Sequence, residues 1–384
     1  MAVETLSLGS KVSAPHGPWI EVRLDCILKN LERIRKVAGP SVGVMAVVKA
    51  NAYGHGLVPV SRALEGKADY LGIASLREAS ILREQGITLP LLIFGRLHPD
   101  EISAALSLKL TLTVSSFEEA EAISEAGTRF GQTVPVHIKV DTGMGRLGLS
   151  LLQAEPEIKR IWKLPSLLLE GLYTHFPTAE RREDPFGEAQ LENFERLIQV
   201  LEDEGIRFPL RHACNSAGAL RFKSNRLNLI RPGIALYGVY PDRIFEDVIS
   251  LEPALSLKTR IAFIKRLQPG DSVSYGREFI AARPTTIGVL PVGYSHGYPF
   301  QLSNLGEVLY RGRRCKIAGR VCMDWTMIDL GNDPSVRVGD EVILLGSEGG
   351  ESVDAQGLAS WAQTIPYEIL TRLEPGIPRF YRPL

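Results

Sequence analysis

A chain of 384 residues, 45% hydrophobic and 23% charged, is long enough for two domains with a large core and too apolar for a disordered polymer. Lys+Arg and Asp+Glu balance at 44 each, so no basic field draws in nucleic acid or anionic lipid, and a small-molecule ligand suits this surface better. Cys26, Cys214, Cys315 and Cys322 form no C-x-x-C pair and no zinc-ligand spacing, and read as reduced thiols with no metal site. The start of the chain lacks a basic stretch followed by an apolar run. No apolar segment reaches the roughly 18 residues of a membrane span. The expectation is a cytoplasmic protein with neither nucleic acid nor membrane as partner.

Residues 1–18, with Gly9, Ser10, Pro15, Gly17 and Pro18, read as a flexible extension. Residues 19–24 alternate apolar and polar as a half-buried strand does, with Asp25 placed to cap a helix over 26–37. Val-, Ile- and Leu-rich runs then alternate with amphipathic stretches, the pattern of strands buried on both faces and covered by helices. Strands are predicted at 42–48, 70–74, 89–94, 110–114, 134–140, 168–173, 210–213 and 229–236. Helices are predicted at 76–85, 116–126, 151–162 and 188–203, among others. This rhythm predicts an α/β domain over 19–252: a closed eight-stranded parallel (β/α)8 barrel of the TIM type. An open doubly wound sheet is the alternative, because periodicity does not itself show closure. Strand 19–24 belongs either to the barrel or to the domain that follows it.

From about Leu255 the texture changes to short alternating segments at 259–266, 285–291, 308–310, 314–321, 327–330 and 341–345, separated by Gly, Pro and Asp turns. A mainly antiparallel C-terminal β domain over 253–384 is expected, with a late helix at 355–364.

In a parallel barrel the chemistry belongs at the carboxyl ends of the strands, and the polar residues cluster there. Lys49 closes the first apolar strand, where desolvation lowers an ammonium pKa and frees the amine as nucleophile or base; the alternative is a lysine that marks where a strand surfaces. The turn Ala52-Tyr53-Gly54-His55-Gly56 lets backbone approach a ligand, with Tyr53 offering a hydroxyl. Lys139 to Gly148 begins in a strand and sets Arg146 among glycines, which suits bidentate capture of a carboxylate or phosphate; the alternative is pairing of Arg146 with Asp141. His175 follows Thr174 at a strand end, as a structural residue or part of a polar network. Asn215 and Ser216 follow the seventh strand. Arg231, read as lying inside the last apolar strand, is costly unless its charge is paired or bonded, and a cofactor's ring nitrogen could accept from it. Gly233 and Ile234 would offer backbone amides to a phosphate beside the Ser216 hydroxyl. Tyr275 sits beside a glycine in a turn, and as a base it needs neighbouring cations or donors to lower its pKa.

The segments AVVKANAYGHG, DTGMGRLG, YTHF, CNSAG, RPGIALYG, SYG, VGY, GRVCMD and IPYE, spread from about residue 20 to 370, follow one family's order. On them the chain resembles the alanine racemases, fold-type III enzymes that use pyridoxal 5'-phosphate (PLP). The resemblance implies that Lys49 attaches PLP, that Arg231 faces its ring nitrogen and leaves it unprotonated, and that Tyr53, Ser216, Gly233, Ile234 and Tyr367 hold the phosphate. It implies that Arg146 binds the substrate carboxylate and that His175 bridges Arg231 and Tyr275. Lys139 matches a position carbamylated in some members. It implies two-base racemisation of alanine, Lys49 serving one face of Cα and Tyr275 the other, and a D-alanine supply for peptidoglycan. It implies a homodimer in which Tyr275, Met323 and Asp324 complete the partner's site; Asn215 and Tyr294 have supporting places.

This chain departs from the pattern at His296, where G-Y-x-D-G-Y usually carries an acid, and at Trp325, where glutamine commonly follows M-D. Both departures fall near the implied entryway. The alternatives are a serine or broad-specificity racemase, a decarboxylase of basic amino acids, and a non-catalytic PLP-binding protein. Arg231 and Tyr275 argue against the decarboxylase, and the β domain with its SYG and CMD motifs argues against the non-catalytic barrel.

Overall fold

The computed structural model describes residues 17–224 and 227–382. The reading of the chain's start as an extension concerns mainly residues 1–16, which lie outside the described residues. The chain divides into two compact units. One comprises Leu28–Ala52 and Leu57–Leu251; the other takes the chain up to Ile27, the short segment Tyr53–Gly56, and the chain from Glu252 onward.

The first unit is the barrel. Its strands are β1 (Gly43–Val47), β2 (Tyr70–Ile73), β3 (Leu91–Ile93), β4 (Thr111–Val114), β5 (Val134–Asp141), β6 (Leu167–Tyr173), β7 (Leu210–His212) and β8 (Leu229–Ile230). They pair in parallel in the order β8-β1-β2-β3-β4-β5-β6-β7. Between β7 and β8 no regular ladder forms, but Asn228 N donates to Arg211 O at 3.1 Å and Arg231 N to Cys214 O at 2.8 Å. The barrel is thus nearly closed, and the open-sheet alternative is excluded. Met45, Leu92 and Leu229, from three different strands, form one buried cluster, so truncating Leu92 to alanine would cost about 2–5 kcal/mol.

Serine starts two of the covering helices for a direct reason. Ser75 and Ser116 accept from the amides of Glu78 and Glu119, satisfying donors that the first turns of Leu76–Glu84 and Phe117–Phe130 leave open. The last of the eight strands is shorter than its apolar run. β8 stops at Ile230, and Ile234–Tyr237 winds into a 3-10 turn, so Arg231 stands just beyond the strand rather than inside it.

The second unit is mainly antiparallel. One sheet runs Arg313–Lys316, Glu307–Tyr310, Glu341–Glu348, Leu255–Arg260, Trp19–Arg23, Arg379–Arg382, the last pair parallel. A second sheet joins Phe263–Leu267, Thr285–Leu290 and Thr326–Asp329. The run read as one strand over 259–266 is two strands in different sheets, because the chain turns at Ile261 and Ala262. The run 314–321 ends as a strand at Lys316. The helix predicted at 26–37 starts at Leu24, which puts Asp25 in its first turn rather than at its cap, still favourable to the helix dipole.

Candidate active site

Lys49 follows β1 and opens a turn of unusual hand. Ala50, Asn51, Ala52 and Tyr53 all have φ between 52° and 54°, a left-handed run of non-glycine residues that costs about 1–2 kcal/mol each. Hydrogen bonds offset part of that cost. Ala52 N donates to Val48 O at 2.8 Å, Leu57 N to Asn51 Oδ1 at 2.8 Å, and Ala50 N to Glu78 Oε1 at 2.7 Å. The other Glu78 oxygen accepts from Ala74 N at 2.8 Å, so one carboxylate ties the turn after β1 to the end of β2. Burial, and then the charge of Arg146, push the Lys49 ammonium below its usual pKa, against a weaker pull from Glu78.

Lys139 is the second depressed amine. Burial first, then Arg146 and Arg231, bring it down to about 8, and its Nζ lies 5.4 Å from the centre of the Tyr173 ring. Asp141 does not neutralise this cluster by pairing with Arg146. Its Oδ1 accepts from Gly143 N at 2.9 Å and Gly145 N at 3.1 Å, and these turn amides outweigh burial to hold its pKa low. Two glycines allow the tight turn. A Cβ on Gly143 would lie 2.5 Å from the Phe186 ring, and one on Gly148 would lie 2.8 Å from Asp141 N. Arg146 is left exposed at the rim, with its charge acting on Lys49, Lys139 and His175.

Arg231 is 4% exposed, and burial brings its pKa down to about 10. Tyr173 and Cys214 oppose that shift; no carboxylate does. Nη1 donates to His212 Nδ1 at 2.8 Å, while Nη2 donates to Thr174 O at 2.7 Å, Ala213 O at 2.9 Å and His175 Nδ1 at 3.3 Å. A guanidinium never accepts, so His175 presents a lone pair on Nδ1 and, when neutral, carries its proton on Nε2. Burial, then Arg231, Arg146, Lys139 and Lys49, hold the His175 pKa well below its usual value and keep the ring neutral. Beside this group Ser216 Oγ accepts from Gly233 N at 2.9 Å and Ala235 N at 3.3 Å, where the helix Ser216–Arg221 and the 3-10 turn Ile234–Tyr237 both begin. Asn215 caps that helix through Gly218 N at 2.9 Å and donates to Phe176 O at 3.2 Å.

The second unit holds the other predicted residues in three groups. Tyr53 is buried, its ring centre 6.1 Å from that of Tyr367, and burial followed by Tyr367 raises its pKa. The glycines after Tyr53 are packed closely against other parts of the chain. A Cβ on Gly54 would lie 2.3 Å from Leu370 O and one on Gly56 would lie 1.9 Å from the Tyr381 hydroxyl, while Arg379 Nε donates to Gly54 O at 2.8 Å.

Tyr275 is 71% exposed, on a turn in which Ser274 has φ 68° and Gly276 φ 74°. Ser274 Oγ fastens that turn to Arg320 O at 2.7 Å, and Arg320 pairs with Glu278. Tyr294, Met323 and Asp324 lie on two loops joined backbone to backbone: Tyr294 N donates to Cys322 O and Ser295 N to Met323 O, each at 3.0 Å. Ser295 Oγ donates to Asp324 Oδ1 at 2.7 Å, and His296 Nδ1 accepts from Gly293 N at 3.2 Å. Met323 and Trp325 stand exposed there with Tyr294.

The barrel therefore gathers Lys49, Lys139, Arg146, His175 and Arg231 within reach of one another's charge, with Asn215, Ser216, Gly233 and Ile234 alongside. Sequence reasoning missed Glu78, His212, His137 and Glu170. The signal for His137 was its place two residues before Lys139 on one strand, which gives both side chains the same face of the sheet.

Two family models match this chain: alanine racemase, N-terminal domain, over residues 22–241, and alanine racemase, C-terminal domain, over residues 254–381. An alanine racemase of Desulforamulus reducens is 43% identical over 366 residues, covering 94% of this chain and 98% of the relative. One of Methanococcus maripaludis is 40% identical over 369 residues, covering 95% and 99%. Among solved structures, an alanine racemase of Clostridium difficile superposes with a TM-score of 0.90 at 36% identity, covering 97% of each chain. The alanine racemase of Bacillus anthracis with bound L-Ala-P gives 0.89 at 36% identity, covering 97% of this chain and 96% of that one. The chain belongs to the alanine racemase family.

Proposed function

We propose that this protein is a PLP-dependent isomerase that interconverts L- and D-alanine by two-base proton transfer at Cα, supplying D-alanine for peptidoglycan. Arg231 carries the reading. A guanidinium buried with no facing carboxylate is costly even with its hydrogen bonds made, and it suits a neutral ring nitrogen that needs a donor.

The residues fit that cofactor. Beyond burial, the charge of Arg146 lowers the pKa of both Lys49 and Lys139, and Arg231 adds to the effect on Lys139, an excess of positive charge that a phosphate and a carboxylate would relieve. Lys49 would attach the cofactor. Ser216 with the amides of Gly233 and Ile234 would take its phosphate. Bound there, the cofactor would stabilise negative charge at Cα, and less strongly than with a protonated ring because arginine keeps its own proton.

The chain's residues would then divide the proton work. Racemisation requires the proton to leave one face of Cα and arrive at the other, so one base is insufficient. The depressed pKa of Lys49 makes its free amine available as one base, and the Tyr275 hydroxyl is the other. Arg146 would bind the substrate carboxylate with Met323 of a second copy beside it, and Lys139 would orient Arg146. Asn215, Tyr294 and Asp324 would support the loops. A base that is 71% exposed in its own chain has its use where a second copy covers it, which supports a homodimer with shared sites.

Among the described residues no helix is long and apolar enough to cross a membrane, consistent with a cytoplasmic place. The test is loss of optical rotation from L-alanine by PLP-saturated protein, extended to a panel of L- and D-amino acids. Steady racemisation of alanine above the other amino acids is expected, and no turnover of alanine would overturn the reading.

A further inference from the structure

Below Arg231 a line of polar side chains runs through the barrel interior. His212 Nδ1 takes the hydrogen bond from Arg231 at 2.8 Å. His212 Nε2 lies 2.8 Å from His137 Nδ1, and His137 Nε2 lies 3.2 Å from Glu170 Oε2. Both imidazoles are 0% exposed. Glu170 is gripped further by the Thr111 hydroxyl at 3.3 Å and by Tyr70.

Chemistry allows one direction of donation along this line. Arg231 only donates, so His212 Nδ1 carries a lone pair and the proton of a neutral His212 sits on Nε2. That proton points at His137 Nδ1, which must accept, so the proton of a neutral His137 sits on Nε2 and is donated to the carboxylate. The reverse order would leave His212 with no ring proton and set a lone pair of His137 against Glu170. Burial, ahead of the charge effects, lowers the pKa of both rings and keeps them neutral.

The surroundings are shaped for this line. Tyr173 stacks on His212 with ring centres 4.8 Å apart and planes 4° apart, and its hydroxyl donates to Thr113 Oγ1 at 2.9 Å, because that oxygen's own proton goes to Ile93 O at 2.7 Å. Gly171 leaves room for His137: a Cβ there would lie 2.5 Å from the imidazole. A buried polar chain with every member satisfied specifies one arrangement, and loses more than a single bond's worth when its end is cut.

We propose that Glu170 is a positioning residue for Arg231, fixing through the ordered tautomers of His137 and His212 the direction in which the guanidinium is held beneath the reacting centre. The step from that arrangement to catalysis rests on the reading of the protein as a PLP-dependent racemase; the tautomer order does not.

The test has two arms. Nitrogen-15 NMR of the protein without PLP should show His137 and His212 both neutral and protonated on Nε2 between pH 6 and 8. In Glu170→Gln, whose amide oxygen still accepts, that pattern should persist and racemisation should fall only a few-fold. In Glu170→Leu the His137 Nε2 proton loses its acceptor, so its N–H resonance should shift and broaden while the ring stays protonated on Nε2, and kcat of the PLP-saturated enzyme should fall about 10- to 100-fold with KM little changed, the range for residues that orient a functional group from behind. A wild-type pattern with either ring protonated on Nδ1 overturns the inference whether or not the protein racemises alanine. Wild-type kcat in a folded Glu170→Leu variant, or equal losses in the Gln and Leu variants, overturns the positioning role. Failure of the wild-type protein to racemise alanine, with the tautomers as stated, removes the catalytic reading and leaves the relay.

Discussion

Arg231 donates to His212 Nδ1 across 2.8 Å while its other terminal nitrogen reaches Thr174 O, Ala213 O and His175 Nδ1. Four acceptors at two strand ends are served by one planar group. Lysine cannot reproduce that fork, since its three donors radiate from a point. Arg231→Lys should cost about 2–4 kcal/mol of stability, as expected when a buried charged hydrogen-bond network is broken, and should release PLP readily. Denaturant melts and cofactor retention on gel filtration check both.

The left-handed run after Lys49 predicts a gain as well as losses. Ala50→Gly removes the Cβ penalty at φ 54° and should stabilise the protein by about 1 kcal/mol, partly offset by the freer unfolded chain. Glu78→Ala should do the opposite, by about 1–3 kcal/mol, because it strips an acceptor from both Ala50 N and Ala74 N. Gly54→Ala should destabilise too, its Cβ facing Leu370 O at 2.3 Å. A midpoint for Ala50→Gly below wild type would show that the turn is not strained.

Lys139 gives a pH prediction with a definite sign. Its pKa is near 8 in the folded chain and near 10.4 when unfolded, so between those values the unfolded state binds more protons. Stability contributed by this group therefore rises with pH from about 8 to about 10.4, and below pH 8 the buried ammonium is a full burden. In buffer free of carbon dioxide, Lys139→Met should be more stable than wild type at pH 7, and the difference should shrink towards pH 10. A difference that is flat with pH contradicts the assignment. Loading with carbon-13 bicarbonate should give a carbamate NMR resonance that is absent from the variant, if the neutral amine is modified as in some family members.

The exposure of Tyr275, with Tyr294, Met323 and Trp325 exposed in the same unit, predicts that a dissociated chain is inactive. Sedimentation across a dilution series, with activity measured on the same samples, should show the two falling together. An active monomer that is stable on dilution refutes the shared site.

Much of this was legible in the sequence, for physical reasons that differ by element. Most of the barrel strands are buried on both faces, and continuous runs such as Val44 to Val48 state that burial directly. Lys49, Lys139 and Arg231 stood out because a cation in an apolar run demands a reason. The β8 boundary was not legible, since Ile234 to Leu236 is as apolar in a 3-10 turn as in a strand. The left-handed hand of Ala50 to Tyr53 was hidden because it is imposed by tertiary hydrogen bonds on residues that do not prefer it. Gly54 and Gly56 were read toward a ligand when they face Leu370 and Tyr381, because a glycine records only that something is close. Glu170 and His212 gave no local sign, being far apart in sequence from the arginine they serve.

Two-base racemisation by Lys49 and Tyr275 stands or falls on the loss of the tyrosine hydroxyl. The most direct measurement is the initial rate of L-to-D and D-to-L alanine conversion by PLP-saturated wild-type and Tyr275→Phe protein, with the cofactor's absorbance followed in each. Tyr275→Phe should keep the wild-type absorbance and lose most of its rate in both directions. Wild-type rates for Tyr275→Phe would contradict it.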